Sequence, residues 1–328
     1  MKDIIELGNV YISNASSVVG QKEAEGPIAD CFDHLIYDEY FGKDTFEKAE
    51  SEMCRLCINT LLAKSGLGAG SVDVMCAGDL VNQCVATSYA AKHFSIPYLG
   101  LYGACSTAAE SLLIASSMIS GGIIKNAICY ASSHFCTAER QYRFPLEYGC
   151  QRPPTSQNTV TGCGAFLLTD ERTDIAVHSV VIGRISDNGI TDQNNMGAAM
   201  ATAAYDTIKR YHASYGIEGI DLIATGDLGA EGFNICRDLL LNDSIDVRSK
   251  MLDCGLMIYD RQKQDVHAGG SGCGCMAVVA AGKLLPMLKK GEINSLMLVG
   301  TGALLNTNSV LQGSSIPSIA HAVVLKRV

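Results

Sequence analysis

Hydrophobic positions along this chain fall into alternating long and short periods. Residues 45–65 place Phe46, Met53, Leu56, Ile58, Leu61 and Leu62 at mostly helical spacing, and Gly66 follows as a stop. Segment 73–78 is a short continuous apolar run and reads as a buried strand. Residues 82–94 predict a helix, and IPYLGLY (96–102) predicts a short strand running into the turn GACST. The Ala/Ser-rich stretch 106–120 predicts a helix packed on all sides. A second buried strand follows at 123–131. Residues 134–158 break the pattern, with three prolines and few periodic apolar positions, and predict a long irregular excursion. TGCGAFLLTD (161–170) and 175–184 predict strands, and 198–216 a helix. Residues 1–20 predict a short strand and a Ser/Gly turn.

The pattern occurs twice. VDVMCAGDL (72–80) recurs as IDLIATGDL (220–228), so that Asp73, Gly78, Asp79 and Leu80 match Asp221, Gly226, Asp227 and Leu228. A small-residue turn opening a helix follows each copy, GACSTAAESLL (103–113) and GCGCMAVVAAG (272–282). A glycine and a buried strand come next in both, with extra residues in the second copy between 229 and 271. A unit this long is no solenoid repeat. It predicts two similar α/β halves, 1–170 and 171–328, with a pocket where they meet. The recurrence of Asp79 as Asp227 suggests a shared structural role, such as capping a turn.

Composition narrows the class. The 328 residues are 48% hydrophobic and only 18% charged, which suits a compact α/β protein and not a disordered one. The net charge of −9 argues against nucleic acid as a partner and means that an anionic ligand needs a local positive cluster. Asp3 and Glu6 interrupt any signal peptide, and no apolar run is long enough to span a bilayer. The 14 cysteines are expected as reduced thiols. Cys54 and Cys57 have metal-site spacing but lie mid-helix without a second pair, so no metal site is expected. GSGCG (270–274) lacks the last glycine of a dinucleotide fingerprint.

Cys105 is the sharpest chemical candidate. Between a buried strand and a helix start, its sulfur is expected near unpaired N–H groups, which would lower its pKa and make it a nucleophile. The alternative is a small buried residue at a tight turn. In the excursion, His134, Arg140, Arg143 and Arg152 offer donors to carboxylates, with Tyr142 and Tyr148 as stacking surfaces. Each arginine is otherwise a salt bridge to Glu139 or Glu147, or a subunit contact. Helix starts at Ser106 and near Ser271 offer N–H groups to an anion.

The duplicated halves, the GACST turn and GCGCMAVV followed by KKGEINSLMLVGTGALL resemble the thiolase-like fold of thiolases and 3-oxoacyl-carrier-protein synthases. That resemblance implies two βαβαβαββ halves in an α-β-α-β-α layering, with Cys105 at the acylated cysteine. It also implies a histidine near 226–228 and a histidine or asparagine near 270–271; these positions read Gly-Asp-Leu and Gly-Ser. Asp227 and Ser271 thus stand where catalytic partners are expected. Ser132 and Ser133 are expected beside Cys105, and His321 near it, as a stray base, a carboxylate donor or a core histidine. The superfamily further implies a homodimer through the strand near 123–131.

A closer resemblance runs over essentially the whole chain. AGDLVNQ (77–83), YGACST (102–107), ASSH (131–134), TAERQYRFPLEYG (137–149), TVTGCGA (159–165), ISDNGITD (185–192), DCGLMIYD (253–260), AGGSGCGC (268–275), TGALLN (301–306) and IPSIAHAVV (316–324) resemble the stage V sporulation protein AD family. This implies a non-enzymatic protein that binds dipicolinic acid, a flat aromatic dianion. It implies work with the membrane proteins of the same stage V (SpoVA) system, in dipicolinate uptake into the forespore and release at germination. The expected location is the periphery of the forespore or spore inner membrane, with a chain that is soluble when isolated. No cofactor is expected, and the ligand is expected either alone or as its calcium complex. The alternative is a Cys105-dependent acyltransferase or condensing enzyme.

Overall fold

A computed structural model describes residues 4–142 and 152–328. In the first half the chain forms β1 (Ile4–Glu6), β2 (Tyr11–Val19), α1 (Gln21–Ala24), β3 (His34–Leu35), α2 (Phe46–Ser65), β4 (Val74–Gly78), α3 (Val85–Ala91), β5 (Tyr98–Gly100), α4 (Thr107–Ser120), β6 (Asn126–Ser133), α5 (Phe135–Tyr142), β7 (Asn158–Thr159) and β8 (Gly162–Thr169). The second half forms β9 (Ile175–Val181), α6 (Met196–Tyr215), β10 (Leu222–Thr225), α7 (Gly229–Asn242), β11 (Met251–Asp253), α8 (Cys254–Met257), β12 (Gly270–Ser271), α9 (Cys273–Val279), α10 (Leu285–Lys290), β13 (Ser295–Ala303), α11 (Thr307–Leu311) and β14 (Ser318–Arg327). A π-helical turn, Ala280–Leu284, joins α9 to α10.

The sheet shows the internal repeat directly. Its strand order is β11-β10-β13-β14-β9-β2-β8-β6-β4-β5. Read outward from the centre, each half has the same sequence of neighbours: two antiparallel pairs, then two parallel ones. The two half-sheets meet at a single residue pair, Tyr11 with Ala176. Helix α4 contacts β4 and β6 on one side and β13 and β14 on the other, and α9 lies beside it against β6 and β8. Helices α2 and α3 cover the outer face of the first half-sheet, and α6 with α7 covers that of the second. The result is the five-layer α-β-α-β-α arrangement expected from the resemblance, with the central helices buried almost all round.

Local chemistry explains where the elements begin and end. Thr45 caps α2 by accepting from the Lys48 N–H at 3.4 Å, and Gly66 ends it at φ 70°, as its position suggested. Four expectations need correction. The 82–94 helix shortens to α3 because Gln83 and Cys84 take φ of 61° and 53°, outside helical space. The Ser/Gly turn expected within residues 1–20 is instead part of β2, which runs through Ser16 and Ser17 to Val19. There Ser16 donates to the Cys57 carbonyl at 2.8 Å and the Ser17 N–H donates to Asp33 at 2.9 Å, so both are satisfied while buried. The strand near 123–131 starts at Asn126, after a Gly121-Gly122 turn. The excursion opens with α5, whose first N–H groups donate to Thr161 Oγ1 (3.0 Å) and His134 Nδ1 (3.1 Å). Those caps are polar, and the one from Thr161 is long-range, so hydrophobic periodicity does not reveal them.

Candidate functional site

The GACST turn is built to present one side chain. Ser106 Oγ donates to the Gly103 carbonyl (2.6 Å), Thr107 Oγ1 donates to the Ala104 carbonyl (2.6 Å), and the Gly103 N–H donates to Thr107 Oγ1 (3.1 Å). With Ala104 at φ 49°, the chain places Cys105 on the wall of a cleft between the halves. The turn presses on β13 of the other half, where a Cβ added to Gly302 would lie 2.2 Å from the Gly103 carbonyl oxygen. Only glycine allows that approach.

Beneath Cys105 lies Asp227. Its Oδ1 accepts from Thr301 Oγ1 (2.7 Å), and its Oδ2 accepts from Ser271 Oγ (3.0 Å) and from the Gly272 N–H (2.9 Å). Gln157 holds the same turn by donating to the Asp227 carbonyl at 2.7 Å. Cys105 Sγ stands 3.9 Å from Ser271 Oγ, within electrostatic reach of Asp227. Burial, reinforced by the Asp227 carboxylate, pushes the thiol well above its ordinary range. The lowered pKa expected from the helix start is therefore overturned: desolvation and a neighbouring negative charge outweigh the helix end. Burial also pushes Asp227 up, opposed by its hydrogen bonds.

Asp227 does not share the role of its repeat mate. Asp79 accepts from the Val81 N–H (2.9 Å), the Thr87 N–H (2.8 Å) and Thr87 Oγ1 (2.6 Å), so it caps the turn into α3. In the second half Asp253 takes over capping, accepting from the Leu228 N–H (2.8 Å) and Gly229 N–H (3.1 Å). Asp227 is freed to hold Ser271 at the cleft wall.

The cleft opens to solvent, and the space between its walls, open solvent included, is about 600 Å3. Leu80, Ala138, Tyr142, Met196, Ala303 and Leu305 give it apolar walls, while Thr159, Gln193, Asn194, Ser271 and Glu139 supply polar groups. Tyr142 is fixed by donating to the Leu80 carbonyl (2.9 Å) and by a 3.1 Å bond with the Tyr102 hydroxyl.

Of the residues singled out from sequence, Cys105, Tyr142 and Ser271 line this cleft and Asp227 supports them. The others point elsewhere. Ser106 is spent within its turn. Ser132 donates to Glu50 (2.9 Å), and Ser133 donates to the Val160 carbonyl (2.6 Å). His134 donates from Nε2 to the Glu39 carbonyl (2.8 Å) and is kept neutral by burial. Arg140 is an ion pair with Glu47 rather than with the acids expected. Arg152 binds Asp265 (2.9 Å) and Asn158 (3.2 Å). His321 accepts from the Gly183 N–H (3.1 Å), and burial, then Arg210, lowers it to about 4. Arg143 and Tyr148 lie outside the described residues. Glu139, expected only as an arginine partner, also lines the cleft, as do Gln193, Asn194 and Met196, whose sequence signal is the amide run before α6, capped by Asn195. Among the described residues no lysine or arginine lines the cleft, and no group of three His, Cys, Asp or Glu could hold a metal ion. No helix among them is long and apolar enough to cross a membrane.

A two-half layered sheet with a cysteine at the start of its central helix is the architecture of thiolase-like condensing enzymes. The 3-oxoacyl-[acyl-carrier-protein] synthase III of Aquifex aeolicus VF5 superposes with a TM-score of 0.61 at 12% identity, covering 97% of this chain and 99% of that one. A point variant of OleA from Xanthomonas campestris gives the same score, identity and coverage. Both show the fold alone. Residues 4–326 match the family described as Stage V sporulation protein AD. The stage V sporulation protein AD of Bacillus subtilis (strain 168) is 42% identical over 320 residues, 97% of this chain and 94% of that protein. The chain belongs to the stage V sporulation protein AD family.

Proposed function

We propose that this sporulation protein binds dipicolinate in the Cys105 cleft and does no chemistry there. The carrying observation is that Cys105 faces a buried carboxylate where a condensing enzyme needs a base. A thiol so placed is a poor nucleophile but a serviceable wall. The apolar faces of Tyr142, Leu80, Met196 and Leu305 suit a flat ring, and the Gln193 and Asn194 amides with the Thr159 and Ser271 hydroxyls suit its carboxylates. The ligand enters without a resident cofactor, with or without calcium. The protein serves dipicolinate traffic at the spore inner membrane, held at its periphery by the membrane proteins of the same system.

Calorimetric titration of dipicolinate into the wild type and Cys105→Ala tests this. Saturable binding that Cys105→Ala retains or weakens only a few-fold is expected. No binding by either protein at millimolar ligand would sink the proposal. The second possibility, acyl transfer through Cys105, is favoured by the condensing-enzyme fold. It requires an acyl adduct on Cys105 by mass spectrometry after incubation with acyl-CoA.

A further inference from the structure

The cleft has an electrostatic problem that its proposed ligand makes acute. Among the described lining residues the ionisable groups are Cys105, Tyr142 and Glu139, and none carries positive charge. Behind the wall the picture is the same from every side. Asp227 faces Cys105 on the turn before α4, Cys273 and Cys275 on α9, Asp253 on β11 and Cys254 on α8, together with the neutral hydroxyls of Ser271 and Thr301. Among the described residues, each of these ionisable groups around Asp227 is acidic. The buried Glu50 and Asp79 also act on Cys273, and both are acids. A dianion placed against Ser271 would sit one hydroxyl away from the Asp227 carboxylate, which is itself buried. Like charges so close cannot both persist at low dielectric.

Three routes lead out of this conflict: a cation entering with the ligand, exclusion of the anion, or neutralisation of the carboxylate by a proton. The hydrogen bonding around Asp227 favours the third. Its donors are two hydroxyls and one N–H, and the hydroxyls of Ser271 and Thr301 can rotate to accept instead of donate. A protonated Asp227 therefore keeps its partners. Protonated, it also lets Ser271 Oγ–H turn towards a carboxylate in the cleft.

We propose that entry of an anion into the Cys105 cleft is coupled to uptake of one proton from solvent by Asp227. This rests on the cleft being the dipicolinate site and adds its regulation. The free carboxyl is already shifted upward by burial, and a bound anion shifts it further. Above the free carboxyl's titration range and below that of the complex, the dissociation constant should rise about tenfold per pH unit. Once Asp227 is protonated in both states, affinity becomes independent of pH. The protein thus holds its anion on the acidic side and lets it go as the surroundings become alkaline.

The test uses the full chain and dipicolinate in calorimetry from about pH 6 to about pH 8, where the free ligand remains a dianion and the protein carries the pH dependence. Each pH is measured in two buffers of different ionisation heat. The expected result is a buffer-dependent heat reporting close to one proton taken up at the alkaline end. The neutral isostere pyridine-2,6-dicarboxamide should bind with no such heat. Asp227→Asn should bind dipicolinate with a flat pH profile and hold it more tightly than the wild type at the alkaline end. Dipicolinate binding whose constant and heat ignore pH and buffer would overturn the coupling while leaving the binding site standing. Absence of binding by both ligands would remove the site and the coupling together. The two-buffer measurement needs no variant, so it decides the matter even if Asp227→Asn fails to fold.

Discussion

Cys105 and Asp227 were visible in the sequence as a nucleophile-like turn and a repeat-related acid, and the geometry joins them in one hydrogen-bonded unit with Ser271. Their chemistry is set by what lies within a few ångströms rather than by the helix that follows. Replacing the acid by a base should reverse it. Asp227→His combined with Ser271→Asn puts an imidazole and an amide beside the thiol, and alkylation of Cys105 by iodoacetamide should speed up by about tenfold or more over a slow wild type. An unchanged rate in a variant with native circular dichroism would show that burial, not Asp227, silences the thiol. The serines beside these residues mark the limit of sequence reasoning. Ser106, Ser132 and Ser133 stand at the expected backbone positions, yet each hydroxyl turns to a carbonyl or to Glu50. For Ser132 and Ser133 the partners are distant in the chain, which no local pattern encodes.

At the scale of elements, strands and central helices were legible because continuous apolar runs leave little choice about burial. Helix α5 was not, since its anchors are polar. One is Glu50 on α2, which is wholly buried and accepts from Ser132 on β6 (2.9 Å) and from Thr137 on α5 (2.8 Å). Burial, then the nearby Asp79, raises Glu50 to about 8 from 4.5. A carboxyl whose folded pKa lies above its unfolded one binds more protons when folded. Its contribution is full below about 4.5 and is lost as pH climbs through about 8. Glu23 and Asp253, each raised to about 7 mainly by burial, act in the same sense. The thermal midpoint should therefore fall between about pH 5 and about pH 8. Glu50→Gln should flatten part of that slope, and Glu50→Ala, which strands two buried hydroxyls, should cost about 1–3 kcal/mol. Scanning calorimetry across pH checks both, and a wild-type midpoint that rises over this interval contradicts the assignment.

For the whole molecule, the repeat predicted two similar half-sheets, and their identical strand order shows why one sequence pattern served twice. The expected homodimer needs a different strand from the one named by resemblance. Strand β6 is flanked by β4 and β8 and has no free side. The edge of the first half-sheet is β5. Its Pro97 and Leu101 bond to β4, as the Met75 N–H to Pro97 carbonyl and Leu101 N–H to Ala77 carbonyl bonds show, both 2.8 Å. Tyr98 and Gly100 therefore turn their backbone groups outward, where a strand can add. Around that edge Leu99, Tyr102 and Tyr89 are 40%, 46% and 55% exposed and form an apolar rim. A second copy supplies the same edge, so antiparallel β5–β5 pairing would close as a two-fold. Gly100→Pro removes an outward N–H, and Leu99→Lys places like charges face to face across the axis. Light scattering at micromolar concentration should find a dimer for the wild type and a monomer for the double variant, with unchanged secondary structure. A dimer that survives both substitutions would place the contact elsewhere, and a monomeric wild type would leave β5 as an edge guarded by its own shortness.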